Sequence, residues 1–67
     1  MEERTRVALR VGRTREGWRR WYAYPVIEHG PGLYTINESA YTRLSPGHAS
    51  RSDAAAWATE HNLVVVW

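Results

Sequence analysis

From residue 5 to residue 11 apolar and polar side chains alternate. Thr5, Val7, Leu9 and Val11 fall on one side of an extended chain, and Arg6, Ala8 and Arg10 on the other. A period of two predicts a half-buried strand. Residues 18–27 are dense in aromatic and β-branched side chains and predict a second strand, in which Pro25 signals an edge, a bulge or an early end to pairing. Between the two, Gly12 and Gly17 bracket a polar stretch suited to an antiparallel connection. His29-Gly30-Pro31-Gly32 predicts a chain reversal, and residues 33–36 a third strand with a ragged continuation through residues 40–44. Ser45-Pro46-Gly47 then reads as a type II turn.

A helical period follows over residues 53–61, where Ala54, Trp57, Ala58 and His61 share one face. Ser50 or Ser52 supplies the N-cap, Asp53 complements the dipole, and Asn62 suits a left-handed stop. The continuous apolar run Leu63-Val64-Val65-Val66-Trp67 predicts a last strand, entering parallel beside the first through a right-handed crossover. The expected fold is thus a small α+β domain over residues 1–67, in the order β-β-β-α-β, with one mostly antiparallel curved sheet and a single short helix packed on one face. Its expected core is Val7, Leu9, Val11, Trp21, Ile27, Ile36, Trp57, Leu63 and Val65.

Composition narrows the chemistry. The chain has 67 residues and no cysteine, which excludes disulfides, thiolate metal sites and cysteine nucleophiles. His29, His48 and His61 lack the spacing of a local metal site, and a Ser/His pairing around His48 lacks an orienting acid. No catalysis, metal or cofactor is therefore expected. Gly30-Pro31-Gly32 opens no helix and so is no phosphate loop, and Asn37-Glu38-Ser39 is a common chance match to a glycosylation pattern. With no apolar run of about 18 residues and no apolar leader, a cytoplasmic setting without a membrane partner is expected.

Charge and aromatic content point to binding. Arginine supplies all nine basic residues, and seven of them lie in residues 1–20 against three acids. There are four Trp and four Tyr but no Phe. One short helix covers one face of a sheet, yet Trp18, Arg20, Tyr22, Tyr24 and Val26 share the side of the second strand opposite Trp21, Ala23 and Ile27. Should the connection set the register so, Arg6 and Arg10 join Arg20, Tyr22 and Tyr24 in an Arg/aromatic platform with Trp18 at its margin, and Arg13 and Arg15 contribute from the loop. Guanidinium groups hold phosphates and aromatic planes stack on bases, so the expected function is a non-catalytic module binding nucleic acid, DNA included, through this face and the basic N-terminal half. The alternative is a small protein-binding inhibitor or adaptor, of a phage-encoded kind, using the same face as its interface. A homodimer through a sheet face or edge is a further expected association.

Three strands followed by a short helix, with Ser52-Asp53-Ala54-Ala55-Ala56 at the helix start, resemble the arm-type domains of integrases and the plant AP2-type domains. That resemblance implies a three-stranded sheet docked on DNA. The tryptophan and arginine spacing of those families is not reproduced, and the apolar run at residues 63–67 departs from them. The strand–helix–strand outline is also similar to small phage proteins that bind and inhibit host enzymes.

Overall fold

A computed structural model describes residues 4–67. It comprises β1 (Arg6–Arg13), β2 (Arg19–Gly30), β3 (Leu33–Ile36), a 3-10 turn (Ala40–Thr42), α1 (Arg51–Glu60) and β4 (Val64–Val65). The sheet order is β3-β2-β1-β4. β1 and β2 pair antiparallel, as do β2 and β3, while β4 runs parallel to β1 with Val7 opposite Val65. The sheet is mixed and open, with one helix on one face, as the alternation of apolar positions implied.

The β1–β2 register puts Val7 opposite Pro25, Leu9 opposite Ala23 and Val11 opposite Trp21. These side chains share the helix side. Val7, Leu9, Ala23, Ala54 and Ala58 form its buried centre, with Trp21, Trp57, Leu63 and Val65 packed partly buried against them. Alanine at 54 and 58 lets the helix lie close on the strands. On β2, Trp21 and Ala23 direct their backbone groups away from β1, to His48 and to Leu44 and Ser45. By the same alternation Pro25 turns its nitrogen to the outer side, where its carbonyl accepts from Asn37 N–H at 3.1 Å. The missing proline N–H is therefore not taken from the β1 ladder, and a central strand tolerates the residue.

Both helix ends are satisfied locally. The Ser50 hydroxyl accepts from Asp53 N–H at 3.1 Å, so Ser50 rather than Ser52 is the cap. Asn62 takes a left-handed φ of 59°, Asn62 N–H donates to the Thr59 carbonyl, and Leu63 N–H donates to the Ala58 carbonyl at 2.9 Å. That pair of bonds is a Schellman motif, and it turns the chain directly into β4. Pro31 and Gly32, the latter at φ 75°, reverse the chain between β2 and β3 beside a register shift at Glu28 and Gly30.

Several expectations are corrected. Val11 is 45% and Ile27 56% exposed, not core. The cause is length: a ten-residue helix spans about 15 Å, whereas the twelve residues of β2 run about 40 Å, so the helix covers only the middle of the sheet. Residues 40–44 continue no strand, because the Ser39 hydroxyl accepts from Tyr41 N–H at 3.2 Å and caps a 3-10 turn instead. Gly47 is not among the positive-φ glycines, so Ser45-Pro46-Gly47 makes no type II turn. It runs beside β2, where Trp21 and His48 exchange backbone bonds of 2.8 and 2.9 Å. Trp18 precedes β2 and belongs to the connecting turn.

The close helix–sheet contact makes a prediction. Ala58→Leu, at a fully buried position, is expected to cost about 1–3 kcal/mol by overpacking. Ala56→Leu, on the exposed side of the same helix, should stay within about 0.5 kcal/mol of the parent in thermal or urea unfolding.

Candidate functional site

On the side away from the helix, Ala8 lies opposite Tyr24, Arg10 opposite Tyr22 and Gly12 opposite Arg20. Arg6, Arg10, Arg20, Tyr22 and Tyr24 therefore do share one face. They are not equally available. Tyr22 is 6% and Tyr24 2% exposed, with their rings edge-on at 6.1 Å. Arg43 covers them: its guanidinium carbon sits 3.8 Å from the Tyr22 ring centroid and its Nε donates to the Tyr24 hydroxyl at 3.1 Å.

The segment that carries Arg43 is bolted to the outer edge of β2. Leu44 N–H donates to the Ala23 carbonyl, and the buried Ser45 hydroxyl accepts from Ala23 N–H, both at 2.9 Å. Gly47 presses against β2, and a side chain there would come within 2.9 Å of the Arg20 Cβ. Gly12 completes the enclosure, since a Cβ on it would collide with the Tyr24 hydroxyl and lie 2.6 Å from an Arg43 nitrogen. The expectation that Tyr22 and Tyr24 form an open stacking surface is thus corrected: they are a second, tyrosine-built core under an arginine lid. Arg43 was missed because nothing within residues 40–47 reveals which strand the segment will pair with.

Trp67, beyond β4, also reaches β3 over this side. Trp67 contacts Tyr34 edge-on at 6.0 Å, and the Arg10 guanidinium carbon lies 5.9 Å from the Trp67 ring centroid. Arg6 is held in an ion pair with Glu28.

The exposed basic groups gather at the far end of the β1–β2 hairpin. Arg10, Arg13, Arg15, Trp18, Arg19 and Arg20 are all exposed, Trp18 at 64%. Arg13 and Arg19 stand directly opposite each other, on the helix-side face but beyond the helix. Arg19 is a site residue that sequence reasoning passed over, since only the register reveals its partner. Among the described residues the Arg6–Glu28 bridge is the only salt bridge, so the hairpin arginines carry no carboxylate partner there. The turn is held by its own bonds: Thr14 N–H donates to the Trp18 carbonyl at 2.8 Å, the Thr14 hydroxyl accepts from Trp18 N–H at 3.1 Å, and Gly17 adopts φ 91°. Arg13 adds a bond to the Gly17 carbonyl at 3.1 Å. A cleft of about 480 Å³ adjoins the hairpin, with Arg10, Arg51 and Glu38 on otherwise apolar walls.

Among the described residues no three His, Asp or Glu groups converge as a metal site. His61 stacks on Trp57 at 3.9 Å and bonds its carbonyl, a local helix-end contact. No described helix is long and apolar enough to cross a membrane. Comparison with protein-family models, characterised proteins and solved structures returns no match.

The enclosure around Gly12 is testable through its coupling. Gly12→Ala is expected to destabilise by about 1–3 kcal/mol by forcing Tyr24 and Arg43 apart. In a Tyr24→Phe background, which lacks the colliding hydroxyl, the same change should cost less by at least about 0.5 kcal/mol in a double-mutant cycle of urea unfolding.

Proposed function

We propose that this chain is a non-catalytic nucleic-acid-binding module that grips phosphates with the end of its β1–β2 hairpin. The observation that carries the reading is the Arg13–Arg19 pair, two arginines in direct cross-strand opposition that make no salt bridge to a described carboxylate. Like charges in that position destabilise a ladder by roughly 0.2–1 kcal/mol. An anionic ligand reverses the sign of that interaction, and a polyanion can also engage Arg10, Arg15 and Arg20 around it. Arginine's planar fork suits phosphate oxygens, and each phosphate neutralised releases counterions. With Tyr22 and Tyr24 enclosed, this reading rests on the phosphate-binding half of the Arg/aromatic face and leaves Trp18 as the exposed ring at its tip. A cytoplasmic setting, where nucleic acid is at hand, goes with it.

The second reading, a small protein-binding inhibitor or adaptor, draws support from Trp18 at 64% exposure among arginines, the residue types that anchor protein interfaces. Salt separates the two. Phosphate binding weakens steeply with added salt, while an interface centred on an indole changes far less.

Replacing Arg13 and Arg19 together by alanine should weaken binding while leaving stability nearly unchanged. Affinity for nucleic acid is expected to fall about tenfold or more, with the slope of log K against log salt smaller by about two. Thermal stability should change little, because relief of the repulsion is offset by loss of the Arg13 bond to the Gly17 carbonyl. Fluorescence anisotropy at several salt concentrations and a melting curve read the two effects. Unchanged affinity in the double variant would overturn the proposal.

A further inference from the structure

We infer that the ligand of the hairpin is duplex DNA, entered through its major groove. This inference rests on the phosphate-binding reading above and adds the form of the nucleic acid.

Shape gives the first argument. Along β1, the parallel neighbour β4 reaches Val7 by register, and its last backbone bond joins Leu9 N–H to the Trp67 carbonyl at 2.9 Å. Along β2, the outer neighbour pairs as far as Trp21 and touches Arg20 through Gly47. Past the Gly12–Arg20 pair, residues 13–19 form a two-stranded ribbon closed by its own turn, with no described neighbour strand on either edge. This tip consists of one strand pair, Arg13 opposite Arg19, and the tight turn over residues 14–18 beyond it. The major groove of B-form DNA is about 12 Å wide and 8.5 Å deep and admits a two-stranded β-ribbon. A tip only two strands wide is the kind of element that such a groove admits.

The second argument is where the charges stand. Arg13 and Arg19 are on one face of the ribbon, and Arg20, opposite Gly12, is on the other with Arg10 two residues along. A single strand laid on one face answers half of these groups. A groove has a phosphate wall on each side, and a ribbon seated in it meets both walls with arginine.

The third argument is what is missing for the competing ligands. Sequence-tolerant binding of single strands uses several exposed rings on which successive bases stack. Here the ring pair on the basic face is enclosed, Tyr24 at 2% exposure under Arg43, and the exposed rings Trp18, Tyr41 and Trp67 belong to three separate segments rather than to one row along a strand. Duplex RNA fails on shape, because the major groove of its A-form helix is too narrow and deep for side chains to enter. The self-bonded turn at Thr14 and Gly17 keeps the ribbon closed, so it enters the groove as a preformed element.

The test measures equilibrium binding of the full chain to a short labelled DNA duplex, to one of its strands alone and to an RNA duplex of the same sequence, at one salt concentration. Duplex DNA is expected to bind at least about tenfold more tightly than either other form, with Arg13→Ala and Arg20→Ala each weakening it, since they sit on opposite faces. A ligand that fills the minor groove of the duplex should leave this affinity unchanged. Single-strand or RNA-duplex binding as tight as DNA-duplex binding, or competition by the minor-groove ligand, would overturn the groove assignment while leaving phosphate binding intact. Absence of binding to all three would overturn the nucleic-acid reading itself.

Discussion

The opposition of Leu9 and Ala23 in the β1–β2 ladder decides almost everything else in this molecule. Side chains alternate along a strand, so a slip of β1 by one residue against β2 would carry Arg6 and Arg10 to the helix side and expose Val7 and Leu9. The energetics favour the observed register on both faces at once. On one side Val7, Leu9 and Ala23 meet Ala54 and Ala58. On the other, Gly12 leaves the space into which Tyr24 and Arg43 converge. Neither face tolerates the side chains of the other, and that mutual exclusion is what gives so short a chain a single arrangement.

Without cysteine, the domain is stapled by side chains instead. The helix-side core consists mainly of small and medium residues. The largest fully buried side chain, Tyr24, sits on the opposite face. Its hydroxyl has a partner in the Arg43 Nε, as a buried polar tip requires, and the guanidinium stack over Tyr22 adds a cation–π contact. The aromatic surplus is therefore spent largely on internal cohesion. Of the rings, Trp18, Tyr41 and Trp67 stay exposed, and the exposed arginines concentrate at the hairpin end where the sheet narrows to two strands.

Features encoded within a few residues were legible in the sequence. Ser50 as a cap, Asn62 as a left-handed stop and the reversal at Pro31 and Gly32 each depend on local stereochemistry, and each is present. The last strand's parallel place beside β1 followed from handedness and apolar content. Other features depended on comparison between distant parts. The exposure of Val11 and Ile27 reflects the unequal reach of helix and strand. The lid on Tyr22 reflects an edge pairing between Trp21 and His48 that no residue near Arg43 announces. For the same reason the aromatic half of the anticipated face closed inward, while its arginines at the turn, which need no cover, stayed exposed.

The parallel pairing of β1 with β4 has a kinetic side. The β1–β2 and β2–β3 hairpins join residues close in sequence, and such loops close on the microsecond scale. Val7 and Val65, by contrast, come from opposite ends of the described chain, and their contact carries the largest loop-closure entropy in the fold. The meander can therefore assemble before the helix docks, and the buried faces of Val7 and Leu9 stay wet until it does. The rate of folding should be governed by the docking of α1 with β4 as one unit, locked together by the Schellman turn between them.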